Sequence, residues 1–341
     1  MLILKLPVNL FATLAVALVG CASATSEPGK EPASRSSDGE SKKSASVKSK
    51  SKPKLGKETW TSSDGAEFPW TSWGSNSQVK TVVVAVHGLS GAESDFRPLG
   101  EYFRTRSTAV YSYALRGQGN DPAKERVGDI KKPELWYADL DTFLRLVRAA
   151  HPKAKVFLYG ESLGGLISVY GLDSFSKENR ASIHGLILAS PVVSLKDRKK
   201  VPRLKYALLK SAIFLLPRRT ISLQKLAGDK ADMKITADTD HIENVRNTPH
   251  ALDEFSFRLL GTLEKLIDGY DEAASKVDKP ILVLYPGHDL LTTSEDVEEW
   301  FAGLETKDKE KRLFSKSYHM LLHDDERAEV LETVRKWIDR H

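Results

Sequence analysis

The sequence predicts an α/β fold: a mostly parallel, doubly wound sheet that carries an inserted helical cap. Two observations support this prediction. Buried β-branched runs alternate with amphipathic helical stretches, and one connection of about ninety residues is far longer than such a fold needs. Of the 341 residues, 40% are hydrophobic and 28% are charged, which is typical of a globular protein. This composition excludes a wholly disordered chain and a polytopic membrane protein.

The predicted core strands are short runs rich in aliphatic residues, as expected where helices cover both faces of a sheet. They span residues 81–86, 108–113, 155–159, 185–189 and 281–285, with 312–315 as a weaker edge strand and 66–73 as antiparallel edge strands. Helical periodicity is clearest over 133–150 and 326–338. The alternation stops after residue 189, and a mostly helical insertion over about 191–276 predicts the cap.

The N-terminus predicts a signal peptide over residues 1–20. Lys5 precedes an apolar run over 10–20 that is too short to span a membrane and has the length of a signal-peptide core. The run ends at Cys21, the only cysteine of the chain, in a pattern that resembles the lipobox of bacterial lipoproteins. That resemblance implies lipidation of Cys21 and an exported, lipid-anchored membrane protein of the cell envelope. An ordinary cleaved signal, cut near Ala22, is the alternative.

Residues 21–58 are predicted to form a disordered tether, because Ser and Lys dominate and few apolar side chains are available to bury. The seven lysines within 42–57 would favour an anionic surface or serve as a solvated spacer. From residue 59 to 341 basic and acidic residues are equal in number, so the net charge of +5 lies near the N-terminus. The body therefore has no basic footprint for nucleic acid. A single cysteine also excludes disulfide frameworks and thiolate metal sites.

The predicted nucleophile is Ser162, at the centre of Gly160–Gly164, which matches G-x-S-x-G. The pattern follows a buried strand and precedes a helical run, which favours a nucleophile elbow over a turn with a capping serine. The backbone N–H of Leu163 and that of Leu89, in the loop after the first core strand, are the candidate oxyanion-hole donors. His87 in the same loop is predicted to be structural.

The predicted acid and base follow the nucleophile in the order Asp, His. Asp289 comes directly after the strand 281–285, at the sheet edge where such folds place their sites. His319 lies in the loop before the last helix and is the predicted base. His288 and His323 are its rivals. No nucleotide-binding or His-Glu-x-x-His motif is present, so neither a cofactor nor a metal is expected.

These residues resemble the monoacylglycerol lipase and lysophospholipase-like branch of the α/β-hydrolases, which includes serine aminopeptidase-type enzymes. The resemblance implies an α/β-hydrolase fold with a cap after Pro191, and it implies Ser162, Asp289 and His319 as the triad. The sequence departs from the family at Gln118, where His is common. The likeness extends over 66–341 and is carried by 87–89, 115–119, 160–165 and 318–321.

The predicted function is a serine esterase or lipase that cleaves acyl esters through an acyl-enzyme, with monoacylglycerols or lysophospholipids as the implied substrates. A peptidase acting on short N-terminal substrates is one alternative, and Asp232, Glu243 or Asp253 would then hold the substrate amine. A non-enzymatic surface lipoprotein is the other alternative. The apolar helix over 204–216, which has basic flanks, either covers the mouth of the site or faces lipid.

Overall fold

A computed structural model describes residues 52–74, 78–195, 203–222, 235–246, 248 and 250–341. The predicted signal peptide, Cys21, most of the tether and parts of the cap lie outside these residues and stay predictions. Among the helices that are described, none has both the length and the apolar character needed to cross a bilayer.

The main sheet is parallel except at one edge, where antiparallel strands are added. In chain order the strands are β1 (Lys54–Leu55), β2 (Thr59–Thr61), β3 (Glu67–Trp73), β4 (Thr81–Val86), β5 (Thr108–Tyr113), β6 (Lys155–Glu161), β7 (Ile183–Ala189), β8 (Thr220–Ser222), β9 (Glu254–Ser256), β10 (Ile281–Pro286) and β11 (Lys309–Phe314). Nine of these pair in the order β1-β2-β3-β5-β4-β6-β7-β10-β11. The pairs from β5 to β11 are parallel, and β1, β2 and β3 add an antiparallel edge.

Helices cover both faces of this sheet, which confirms the predicted doubly wound class. Alternate residues of β4 explain the continuous apolar run: Val82 and Val84 join the core beneath one helix layer, while Val83 and Ala85 join the core on the other face. The helices are α1 (Arg97–Phe103), α2 (Glu134–Ala150), α3 (Leu163–Ser174), α4 (Lys177–Ser182), α5 (Arg203–Leu215), α6 (Thr239–Arg246), α7 (Phe257–Asp268), α8 (Tyr270–Ser275), α9 (Ser294–Ala302) and α10 (Arg327–Arg340).

The folded body begins before residue 59, so the predicted tether over 21–58 is wrong from Lys54 onward. Lys54 and Leu55 pair with β2 as an edge strand. Leu55 packs against the hydrophobic core, and the Trp70 indole N–H donates to the Gly56 carbonyl oxygen at 3.1 Å. These contacts supply the burial and the hydrogen bonding that the composition alone does not predict.

The insertion between β7 and β10 contains strands as well as the predicted helices. β8 and β9 pair antiparallel as a separate two-stranded sheet. Three-residue strands are too short to show a period of two, so the sequence pattern indicates only helix here. The insertion is fastened to the loop after β5, because the Ser256 N–H donates to the Gly128 carbonyl at 2.8 Å. A Cβ on Gly128 would lie 2.4 Å from the Glu254 carbonyl oxygen, so this contact requires glycine.

Candidate active site

Ser162 stands on a sharp turn between β6 and α3. Its φ of 52° and ψ of −115° lie in a region that residues other than glycine rarely occupy. A Cβ on Gly164 would lie 1.9 Å from the Val86 carbonyl oxygen, and a Cβ on Gly160 would lie 2.6 Å from the Gly164 carbonyl oxygen. The glycines of the motif therefore allow α3 to begin directly against the end of β4. This geometry is that of a nucleophile elbow.

Asp289 and His319 form a direct pair. The His319 Nδ1 atom lies 2.8 Å from Asp289 Oδ2, and the Leu291 N–H donates to Asp289 Oδ1 at 2.8 Å. Burial disfavours the charged form of Asp289 and by itself would raise its pKa. The interaction with His319, together with hydrogen bonds from the amides of Leu291 and Thr292, has the larger effect, so the pKa of the Asp289 carboxyl is lowered. The acid is therefore ionised where it meets the imidazole.

The pKa of His319 is raised from its ordinary value. Burial disfavours the imidazolium, but the negative charges of Asp289 and, more weakly, Glu161 outweigh this effect. Glu161 itself is buried beside Ser162, and burial raises the pKa of its carboxyl to about 7, while His319 opposes that rise. An imidazole that faces carboxylates is well suited to accept a proton during a reaction.

The end of β7 links this pair to Ser162. The Ser162 N–H donates to the Ala189 carbonyl at 3.0 Å. The next residue, Ser190, has a φ of 48°, and its hydroxyl donates to the His319 carbonyl at 2.6 Å. The structure thus joins His319 to Asp289 directly and to Ser162 through Ala189 and Ser190. Among the contacts of the described residues, no hydrogen bond joins the Ser162 hydroxyl to His319; such bonds often tighten only when substrate binds.

Neither rival histidine pairs with Asp289. His288 is exposed and lies beside the ring of Tyr318. His323 is buried, its Nε2 donates to the Asp95 carbonyl at 2.8 Å, and its ring stacks on His241 at 3.6 Å. Burial lowers the pKa of His323 to about 3, which keeps the ring neutral. The structure therefore gives His323 a packing role.

The two predicted oxyanion donors lie on segments that meet at Ser162: Leu89 in the loop after β4, and Leu163 at the start of α3. A Cβ on Gly88 would lie 3.4 Å from the Ser162 Cβ, which places the loop containing Leu89 against Ser162. Leu163 is the first residue of α3, so its N–H is one of the unpaired donors of a helix N-terminus. Within the described part of the chain, neither the Leu89 nor the Leu163 N–H has an acceptor. Both amides are thus free to bind an oxyanion.

Ser90 and Gln118 hold the loop that contains Leu89 in place, a role that the sequence does not predict. Ser90 has a φ of 60°, its N–H donates to Gln118 Oε1 at 2.9 Å, and its hydroxyl donates to the Leu252 carbonyl at 2.8 Å. Gln118 is fully buried. The only sequence signal for this role is that Gln118 stands where His is common in the family. The structure shows that Gln118 supports the loop that contains Leu89.

Comparison with known proteins identifies the family. The family model described as serine aminopeptidase, S33, matches residues 77–326. The chain belongs to the S33 serine aminopeptidase family. It is 28% identical over 275 residues to Phospholipase YtpA of Bacillus subtilis, with 80% of this chain and 99% of the relative covered. It is 22% identical over 282 residues to the monoglyceride lipase of Rattus norvegicus, with 81% and 88% covered.

The fold of this S33 member also has solved counterparts. A soluble variant of monoglyceride lipase from Saccharomyces cerevisiae, in complex with a substrate analog, matches with a TM-score of 0.70 at 19% identity, covering 87% of this chain and 97% of that one. The monoacylglycerol lipase of Paleococcus ferrophilus matches with a TM-score of 0.64 at 23% identity, covering 79% and 97%. The predicted α/β-hydrolase fold, its monoacylglycerol lipase-like branch and its class as a carboxylic-ester hydrolase are confirmed.

Other side chains of this hydrolase have structural roles. His87 is buried, its Nε2 accepts the Leu115 N–H at 3.0 Å, and its Nδ1 donates to the Gly88 carbonyl at 2.8 Å. Burial lowers the pKa of His87 to about 4, so the ring stays neutral and braces the loop, as predicted. No group of three or more potential metal ligands occurs among the described residues.

Of the three acids predicted to hold a substrate amine, only Glu243 and Asp253 lie in the described part of the chain. Glu243 is exposed, and Asp253 accepts the Ser222 hydroxyl at 2.8 Å. Asp232 lies outside the described residues. The described part of the chain therefore offers no particular support for amine recognition.

Proposed function

We propose that this hydrolase cleaves the acyl esters of monoacylglycerols or lysophospholipids, with Ser162 as nucleophile, His319 as base and Asp289 as the orienting acid. The observation that carries the proposal is the contact of His319 Nδ1 with Asp289 Oδ2 at 2.8 Å. The Ser190 hydroxyl donates to the His319 carbonyl, and the preceding residue, Ala189, accepts the Ser162 N–H. The names of the relatives, a phospholipase and monoglyceride lipases, support lipid esters as substrates.

The geometry fits a two-step acyl transfer. With Nδ1–H directed at Asp289, the Nε2 atom of His319 is left to accept the proton of the Ser162 hydroxyl as its oxygen attacks the ester carbonyl. The amides of Leu89 and Leu163 bind the tetrahedral oxyanion. His319 then gives the proton to the departing alcohol. A water molecule, activated by the same imidazole, attacks the acyl-enzyme and releases the fatty acid.

We further propose that Cys21 is lipidated and that this anchor holds the enzyme at a membrane of the cell envelope. The lipobox-like pattern and the single cysteine support this proposal. Replacement Cys21→Ser should move the protein out of the membrane fraction or leave it as unprocessed precursor. A mature protein recovered in the soluble fraction, starting after Cys21 and carrying no lipid mass, would refute the anchor.

The triad is tested with matched pairs of variants. Ser162→Ala should abolish labelling by a fluorophosphonate and lower kcat by about 10⁴-fold or more. Ser168→Ala, in the second turn of α3, is the control, because the Ser168 hydroxyl bonds only to the Gly164 carbonyl of its own helix. His319→Ala should be nearly inactive, whereas the exposed His288→Ala should retain activity. An active Ser162→Ala enzyme would overturn the assignment.

Substrate class is tested with a panel of monoacylglycerols, lysophospholipids and aminoacyl peptides of matched length. We expect hydrolysis of the lipid esters and little release from the peptides. Faster cleavage of peptides with a free N-terminal amine would favour the peptidase alternative. A chain that binds these lipids but turns over none of them would favour a binding lipoprotein.

A further inference from the structure

A cavity with concentrated positive charge lies at the amino ends of the parallel strands, away from the triad. Its volume is about 540 Å³, which is the size of a small-molecule site. The end of α2, the connection that follows it and the first residues of β6 and β7 form its walls. Arg145, Arg148, Lys153 and Lys155 line it, and none of the described residues that line it is acidic. We name this cavity the basic pocket.

The charge of the basic pocket contrasts with the neutral body around it. Basic and acidic residues are equal in number from residue 59 to 341, yet cations from three consecutive segments meet here. In the described part of the chain, Arg145, Arg148 and Lys153 form no ion pair. Lys155 Nζ donates to the carbonyl oxygen of His341 at 2.7 Å. Because like charges repel each other, a bound anion would stabilise this arrangement.

Hydrogen bonds hold several side chains of the basic pocket in place. Arg148 donates one N–H to Asn179 Oδ1 at 2.7 Å, and its other N–H groups have no acceptor among the described residues. The His151 ring, which also lines the pocket, bonds through Nε2 to the Tyr111 hydroxyl at 2.6 Å. The His184 ring is fixed by the backbone at its Nδ1 atom. A ligand would therefore meet walls that are largely ordered in advance.

The dipole of α2 explains only part of this cluster. Arg145 and Arg148 lie in the last turns of the helix, where the negative end of the dipole favours cations. Lys153 lies in the connection after the helix, and Lys155 is the first residue of β6. The dipole accounts for cations on the helix end, but it does not require cations of other segments to line the same cavity.

The lining indicates a small ligand with more than one negative charge. A guanidinium is a planar fork that binds two phosphate oxygens at once, and an ammonium adds a compact charge. A phosphate ester carries a charge of about −1.5 to −2 at pH 7. A monocarboxylate, such as a fatty acid, would leave most of the positive charge without a counter-charge. Phosphate is thus the group that these side chains fit best.

The position of the basic pocket favours a soluble ligand over the phosphates of an anchoring membrane. β6 is seven residues long, so Lys155 lies about 20 Å from Ser162. Lys54 pairs with Thr61, which pairs with Glu67, and β3 then runs antiparallel to β5. Lys54 therefore lies at the level of the carboxyl ends of the parallel strands. A chain held by its N-terminal segment would leave that edge of the sheet, whereas the basic pocket is at the opposite edge.

We propose that the basic pocket binds a soluble phosphate ester, with the phosphate held by Arg145, Arg148, Lys153 and Lys155. This site is separate from the triad and does not depend on the proposed lipid-ester function. Ser162→Ala should therefore bind the phosphate probes below with the affinity of the parent protein.

The first test is isothermal titration calorimetry of the full chain with inorganic pyrophosphate and with glycerol 3-phosphate at constant ionic strength. We expect one site with a Kd for pyrophosphate below about 1 mM. Arg145→Gln with Lys153→Gln should weaken binding about tenfold or more, because both side chains are exposed and their charges contact the ligand. No binding to the parent protein would overturn the proposal.

The matched control removes the same charge from the other end of α2. Lys131 and Lys132 are exposed, lie just before that helix and form no ion pair with a described residue. Lys131→Gln with Lys132→Gln should therefore keep the affinity of the parent protein within about twofold. Equal losses in the two double variants would show that only the net charge matters, which would overturn the site.

The second test locates the ligand by modification of arginine with phenylglyoxal, followed by mass spectrometry of peptides. Pyrophosphate should slow the modification of Arg145 about fivefold or more. Arg97, an exposed residue at the start of α1, should react at an unchanged rate. Binding by calorimetry without protection of Arg145 would place the phosphate elsewhere and overturn the proposal.

The third test separates the chemical class and the source of the ligand. Citrate has several negative charges but no phosphate, so it should bind at least about tenfold more weakly than pyrophosphate. Vesicles that contain phosphatidic acid should not protect Arg145 from phenylglyoxal. Equal binding of citrate would overturn the phosphate class, and equal protection by vesicles would overturn the soluble source.

Catalysis provides the last comparison. Both double variants should hydrolyse a soluble short-chain ester within about twofold of the parent rate, because the basic pocket lies about 20 Å from Ser162. A parent protein that binds pyrophosphate but hydrolyses no ester would overturn the proposed function and leave this site standing. A protein that hydrolyses the ester but binds no phosphate probe would overturn the site alone.

Discussion

Replacement Gly164→Ala tests whether the elbow needs the close approach of α3 to β4. The new Cβ would lie 1.9 Å from the Val86 carbonyl oxygen, 2.6 Å from the Val86 carbonyl carbon and 3.0 Å from the His87 carbonyl oxygen. All three are backbone atoms, so no side-chain rotation relieves the overlap. Either the start of α3 or the end of β4 must move by more than an ångström. The Leu163 amide, one residue before Gly164, would move with it.

The neighbouring Gly165 provides a matched control. A Cβ there would find its nearest atom, the Gly160 carbonyl oxygen, at 3.6 Å, which is an ordinary contact. Overpacking costs about 1–3 kcal/mol and more where only backbone can yield, so we expect Gly164→Ala to lose about 3 kcal/mol of unfolding free energy. Gly165→Ala should instead gain up to about 1 kcal/mol, since alanine favours helix.

The comparison is made by urea unfolding together with kcat on a soluble ester. We expect Gly164→Ala to unfold at lower urea and to lose about 10²-fold or more in kcat, because the donor for the oxyanion is displaced. Gly165→Ala should keep both properties. If the two variants match in stability and in rate, the close approach of the backbone does not position the site, and the reasoning from the elbow fails.

Three further outcomes follow from the site. The rate of ester hydrolysis should fall as the pH drops through the pKa of His319, which lies above its ordinary value. In a pH–rate profile, Asp289→Asn should move this acidic limb to lower pH and cut kcat by about 10⁴-fold. His323→Ala should lose about 2–4 kcal/mol in urea unfolding while keeping far more activity than His319→Ala; an inactive but fully stable variant would contradict its packing role. Gln118→Ala should lower kcat more than it raises KM, because it leaves the Ser90 amide unpaired; a change confined to KM would argue for a role in substrate binding.

The elements that the sequence predicts are those with a strong local signal. Strand β4 is a continuous β-branched run because its side chains enter two cores, so its pattern identifies it unaided. Ser162 sits in a motif whose glycines are each required by a backbone contact. Asp289 and His319 follow from the order of residues along the fold, and the structure brings them together.

The elements that the sequence misses depend on contacts between distant residues. Ser90 bonds to Leu252, 162 positions away, and His323 bonds to Asp95, 228 positions away. Periodicity carries no information on such pairs. β1 escapes prediction for a related reason: two residues cannot show an alternation, and their place in the sheet comes from partners that follow later in the chain.

The backbone of the site also limits how this enzyme can be stabilised. In the described part of the chain, the only residues other than glycine with a positive φ are Ser90, Ser162 and Ser190, and all three surround the site. Each such conformation costs about 1–2 kcal/mol, so the residues around the site lower the free energy of unfolding. Glycine at position 90 or 190 would relieve that strain, yet it would also remove the hydroxyl that fastens the loop. Selection for heat resistance should therefore favour changes elsewhere in the protein and leave these serines in place.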